Sequence, residues 1–274
     1  MTILIGLLSP LSIGLADHIG TNLGRRGRLL ATVSMIYTFT GLSALVLAIW
    51  WGGNPTLGDL LLGSLSGVSG SLALIRLYQG YTTRGTGIVG PTTAVTGAIV
   101  PIAVDSMVSG LPSPVVGGGM VLGLIGVGLV SLRNQSGLRD LIALKHGLIS
   151  GVLFGITATL LGSTSDDAGI WPVIPGRVVA VATVMTLILI HKEDRRPHQG
   201  TIPRTMLVGA LAGIGMASFT LAAQVNLAVA GLFFQMSFGV TVLFQVIFAG
   251  EKTSPTQRFG FVVATVALAM VILG

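Results

Sequence analysis

The sequence predicts an all-α, polytopic membrane protein of about ten transmembrane helices, arranged as two inverted five-helix repeats. Three observations predict it: the composition, the spacing of the apolar runs, and an internal echo between the two halves. Of 274 residues, 51% are hydrophobic and only 9% charged, with a mean hydropathy of +0.89. A soluble domain with that balance has too little polar surface to stay in solution. Glycine, at 40 residues, suits membrane helices, because it lets backbones approach where the hydrophobic effect cannot drive packing. The net charge of +6 sits in short clusters between apolar stretches, which argues for loop charges and against a nucleic-acid-binding face. With no cysteine, disulfides, thiolate metal sites and thiol nucleophiles are excluded. The opening MTILIGLLSPLSIGLADHIG has no basic leader and no cleavage site, so it reads as a retained span.

Apolar runs long enough to cross a bilayer fall at 2–23, 29–51, 58–77, 86–108, 114–132, 141–163, 170–190, 204–223, 228–249 and 256–274. Short Gly/Pro/Ser connections such as GGNPT at 52–56 and GLPSP at 110–114 separate them, and only 191–203, HKEDRRPHQGTIP, is long enough for a surface loop. The echo runs in the same order through both halves. GLLSPLSIG at 6–14 matches GLISGVLFG at 147–155, GRLLATV at 27–33 matches GRVVAVATV at 176–184, and LLGSLSG at 61–67 matches LVGALAG at 207–213. Ser113-Pro114 and Ser254-Pro255 each place a cap and a first-turn proline where the fifth and tenth spans begin. Residues 1–138 and 139–274 are thus read as two copies of one unit. Because five is odd, the second copy enters the membrane from the opposite side, the arrangement that gives carriers a site near the midplane.

Three stretches resemble the EamA-type family of the drug/metabolite transporter superfamily. GLADHIGTNLGRRG at 14–27 is similar to the first-helix pattern, with His18 where an aromatic residue is usual. LYQGYTTRGTGIVGPTTAVTGAIVPI at 77–102 resembles the stretch in which a tyrosine ends one helix and two prolines, Pro91 and Pro101, mark the next. AGEKTSPTQRFG at 249–260 matches the Gly-Glu turn into the last helix, whereas the first half carries Leu111 where Glu251 stands in the second. The resemblance implies a multi-pass permease of the cytoplasmic (inner) membrane, moving a small metabolite by alternating access. It implies little about which solute, amino acid-like or another small organic one; no cofactor and no metal are expected. A small solute and membrane lipids are the expected partners, a homodimer is left open, and no nucleic acid is expected.

In the ten-span reading every lysine and arginine except Arg177 falls on one side, with Asp59, Asp166 and Asp167 on the other. The positive-inside rule then puts the basic loops in the cytoplasm and both termini outside. The resemblance implies the reverse, termini inside; the charge distribution is preferred here.

Candidate substrate-binding or coupling residues follow from polarity inside apolar spans. Asp17 and His18 are ionisable within the first span, where such groups face a cavity or a partner; the alternative is a headgroup-level pairing of Asp17 with Arg25 or Arg76. His18 is read either as a residue that couples transport to protons or as an interfacial histidine. In the fourth span Thr92 and Thr96 form a face of hydroxyls one turn apart, which suits either helix packing or a solute. Pro101 removes a backbone donor and frees the carbonyl of Gly97 near membrane depth, a break expected to line a cavity. Tyr78, Gln79, Asn226 and Gln235 complete the set, each equally compatible with interhelical hydrogen bonding. Glu251 reads as a structural turn residue beside a capped helix start. Aromatic residues are 6% of the chain, too few to suggest a cage for quaternary ammonium solutes. No hydrolase, zinc-protease or nucleotide-binding motif is present, so neither an enzyme nor a primary pump is expected. Besides a carrier, a flippase for a lipid-linked molecule and a non-transporting scaffold remain as readings.

Overall fold

The computed structural model describes residues 5–20, 23, 28–84, 86–108, 110–131, 140–196, 199–249 and 254–273, which form ten α-helices and, among these residues, no strand. In chain order they are α1 (Leu8–Gly20), α2 (Leu29–Trp51), α3 (Leu57–Arg84), α4 (Thr86–Val108), α5 (Pro114–Ser131), α6 (Asp140–Gly162), α7 (Val173–His191), α8 (Ile202–Val225), α9 (Leu227–Ala249) and α10 (Pro255–Leu273). Five segments are long and apolar enough to cross a bilayer: Leu29–Trp51, Leu57–Tyr81, Leu141–Gly162, Val173–His191 and Ile202–Val225. Their outward residues are apolar too, with Val46, Val178 and Ile190 about two-thirds exposed, the pattern of helices solvated by lipid. The chain is an all-helical, multi-pass membrane protein.

Local chemistry fixes several helix starts. The Ser113 hydroxyl accepts the Val116 N–H at 3.2 Å, with Pro114 as the first helical residue. Thr56 and Asp59 form a reciprocal cap at the head of α3. The carboxylate accepts the Thr56 N–H at 2.8 Å, and the Asp59 N–H returns to the Thr56 hydroxyl at 3.2 Å. The same carboxylate takes the Ser165 N–H at 2.7 Å and its hydroxyl at 2.9 Å. It thereby ties the α2–α3 turn to the α6–α7 connection, and Asn54 adds a bond from its N–H to the Asp167 carbonyl at 2.7 Å.

Small residues let the helices touch backbone to backbone. Gly63 and Gly67 of α3 lie on the carbonyls of Pro172 and Gly176 at the head of α7, and Gly209 and Gly213 of α8 lie on those of Ile36 and Thr40 in α2. Along α6, Gly147, Gly151 and Gly155 fit beneath Thr92, Thr96 and Val100 of α4, while Gly14 of α1 fits beneath Val240 of α9. The glycines of α3, α6 and α8 recur at spacings of four, the geometry of close membrane-helix contact. Hydroxyls stitch the same faces: Ser69 to Thr157 at 2.8 Å, Ser150 to the Ala73 carbonyl at 2.9 Å, and Thr241 to the Gly14 carbonyl at 3.2 Å.

Six of the helix contacts pair up under exchange of the first five helices with the last five. α4 packs on α6 as α9 packs on α1, α3 on α6 as α8 on α1, and α2 on α8 as α7 on α3; α2 faces α7, α4 faces α9 and α5 faces α10. The facing helices run antiparallel. Gly169, just before α7, abuts the Gly52 carbonyl at the end of α2, while Arg28 at the start of α2 bonds Asp194, beyond the end of α7, at 2.9 Å. Gly41 meets Arg177 between these ends. One echo proves out of register with this packing. Pro172 and Ile36, carbonyl partners of Gly63 and Gly209, are 136 positions apart, as are Gly176 and Thr40, whereas Gly27 and Gly176 of the GR echo are 149 apart. The cause is the start of α7: a 3-10 turn at Asp166–Ala168, Gly169 at φ 55° and Pro172 delay the helix.

Charge separates along the bundle. Arg28, Lys192, Arg195, Arg196 and Arg204 cluster where α2 and α8 begin and α7 ends, and Asp59, Asp166 and Asp167 lie at the opposite end beside the exposed Trp50.

Candidate functional site

A cavity of about 80 Å³ lies inside the bundle, lined by α1, α2, α3, α6, α7, α8 and α9. At roughly 10–15 Å³ per water-sized group, it has room for a small organic solute. Its walls are mainly apolar, and five aromatic rings reach them: Tyr37, Tyr78, Phe154, Phe234 and Phe238. Aromatic residues are scarce in the chain but concentrated here, with the Phe219 ring tilted against that of Phe234 at 5.1 Å between ring centroids. Ser237 and Thr40 bring hydroxyls, and two ionisable side chains complete the lining: Asp17 from α1 and Arg177 from α7.

Arg177 is 5% exposed, in the second turn of α7. Its guanidinium carbon sits 5.2 Å from the centroid of the Tyr37 ring, a cation–π distance. The Tyr37 hydroxyl donates to the Gly70 carbonyl at 2.7 Å, and its oxygen also faces the guanidinium. Neither Nε nor Nη2 of Arg177 has a hydrogen-bond partner. Burying a guanidinium costs several kcal/mol unless its donors are matched, so this residue is poorly explained as packing. Sequence reasoning placed Arg177 in the loop charge opposite the basic side. Helix α7 instead carries it inside an apolar segment, Val173–His191, and that is the signal that could have found it.

The other candidates divide between the cavity and the packing around it. Asp17 and Tyr78 line the cavity. His18, the next residue on α1, points elsewhere: its ring lies 6.4 Å and 6.0 Å from Phe244 and Phe248 of α9. Gln79 accepts from Arg76 at 3.4 Å. Asn226 caps α9, accepting the Val229 N–H at 2.9 Å. Gln235 is 1% exposed against Gly97 of α4, and neither of its amide atoms has a partner. Thr92 and Thr96 cover the α6 glycines.

Two expectations for α4 are corrected. Pro91 and Pro101 both lie within one continuous helix, Thr86–Val108, and neither breaks it. The Pro101 ring packs onto Gly231 of α9, and the Gly97 carbonyl it frees lies against Gly155 of α6, so the break is absorbed by close neighbours. Among the described residues, α4 gives this cavity no side chain. Glu251 lies outside the described residues.

No family model matches the chain, and no curated protein matches it. Among solved structures, a crystal structure of a protein superposes with a TM-score of 0.76 at 14% identity, over 99% of this chain and 98% of its own. At that identity the likeness shows the fold, and the chain shares that fold along essentially its whole length.

Proposed function

We propose that the chain is a secondary transporter that carries a small organic solute across the cytoplasmic membrane by alternating access, with the cavity as its solute site. The observation that carries this reading is the cavity itself, which takes side chains from three helices of the N-terminal half and four of the C-terminal half and includes Asp17 and Arg177. Ionisable groups inside apolar spans are costly and are kept where solutes or ions pass. The exchange-symmetric, antiparallel helix pairing supports two inverted five-helix units, 1–138 and 139–274, rocking about a site between them. The EamA-type reading, which rests on motif order, belongs to the same proposal, as does a cytoplasmic placement of the basic end. The cavity disfavours a scaffold, which needs no internal site.

The test is solute counterflow into liposomes holding the purified protein, run over a panel of amino acids and small organic acids. Saturable counterflow is expected for at least one class, and it is expected to be lost when Ala212, on the cavity wall, is replaced by Phe. Flux that does not saturate, or that survives Ala212→Phe unchanged, would refute the proposal.

A further inference from the structure

We infer that the solute is a monoanion bearing a carboxylate, and that Arg177 is the residue that binds it. This deepens the carrier reading by naming the solute class for the same cavity. Nε and Nη2 of one guanidinium form a planar pair of donors, spaced to meet the two oxygens of a carboxylate. Both are buried and unpartnered in Arg177, and the side chain lines the cavity. An arginine stays charged in any protein environment, so relief comes from a counter-ion and not from proton loss. Among the described residues no carboxylate forms an ion pair with it. Asp17, the carboxylic acid on the wall, enters from α1, whereas Arg177 stands on α7 against Tyr37.

The rest of the lining narrows the class. A phosphate dianion would need a second cation, and the wall offers Asp17 instead, which repels it. A cationic solute would meet the fixed charge of Arg177 among the same aromatic rings. A carboxylate held by the fork, with its short apolar or hydroxylated remainder among Phe154, Phe234 and Ser237, satisfies both the charge and the apolar walls.

The test uses the purified full chain and three probes of similar size: propionate, propionamide, and methyl phosphate at a pH above neutral, where it is a dianion. Thermal unfolding is followed against the concentration of each. Propionate is expected to raise the melting temperature saturably, at a half-maximal concentration about tenfold or more below that of either other probe. Arg177→Gln is expected to weaken the propionate response by about 30-fold or more, and Arg177→Lys, which keeps the charge and loses the fork, by less. Without ligand, Arg177→Gln is expected to melt no lower than the wild type, because it removes an unpaired buried charge. Equal responses to propionate and propionamide, tighter binding of methyl phosphate, or an undiminished propionate response in Arg177→Gln would each overturn the inference. The wild-type comparison decides even if a variant does not fold. Propionate binding without any counterflow would leave the inference standing and remove the carrier reading; counterflow confined to neutral solutes would do the reverse.

Discussion

Replacing Gly67 by leucine is expected to abolish the folded protein, and replacing Gly213 by leucine to do the same. At each position the helix lies on a neighbouring carbonyl, that of Gly176 for Gly67 and that of Thr40 for Gly213, and a side chain there would occupy the backbone itself. Backbone cannot swing aside as a rotamer can, so α3 would have to leave α7, or α8 leave α2. Overpacking alone costs about 1–3 kcal/mol, and loss of a whole helix contact adds to it. Gly58 provides the contrast. It too lies in α3, but a methyl group there meets only the Thr56 hydroxyl, at 3.5 Å. Gly58→Ala is therefore expected to stabilise by about 0.5–1 kcal/mol through lower unfolded-state entropy. Size-exclusion profiles and melting temperatures in detergent check all three. A Gly67→Leu protein that is monodisperse and melts like the wild type would show that α3 and α7 are not in backbone contact.

Asp17→Asn and His18→Gln are expected to part company, although the residues are adjacent. Asp17 lines the cavity, whereas the His18 ring lies against Phe244 and Phe248. If protonation of a wall carboxylate biases inward-open against outward-open states, fixing it neutral removes that bias. A coupling of 1–3 kcal/mol corresponds to about 5–150-fold. Counterflow by Asp17→Asn should fall by about that factor and lose its pH dependence, while His18→Gln should transport with a normal pH profile. The measurement is counterflow at a series of symmetric pH values. Normal transport by Asp17→Asn would assign that carboxylate to packing.

Most helix positions were legible in the sequence because lipid solvation demands long apolar runs whatever their partners. The expected spans 29–51 and 86–108 coincide with α2 and α4, and eight others lie close to their helices, though α3 runs on to Arg84, past the expected end at residue 77. Cap chemistry was equally legible: Ser113-Pro114 starts α5 as its residue types require. The site was legible only in part. Asp17 stood out as a charge in an apolar run, and it lines the cavity. Arg177 carries the same signal, but counting it as a loop charge hid it, because charge counts record position along the chain and not the direction of a side chain. Thr92, Thr96 and Pro101 look like a polar, broken helix in one dimension. Their function as helix contacts depends on the glycines of α6 and α9 that meet them, which lie at distant positions of the sequence. The aromatic cavity wall was hidden for the same reason, its five rings coming from α2, α3, α6 and α9.

The absence of cysteine permits the most direct measurement of alternating access. Ser237, 1% exposed and on the cavity wall, becomes the sole thiol in Ser237→Cys. Right-side-out and inverted membrane vesicles carrying this variant are treated with a membrane-impermeant maleimide. A site that opens alternately to each side is expected to be modified in both preparations, and more slowly when a transported solute is present. Modification in only one preparation, or in neither, would contradict a carrier working through this cavity.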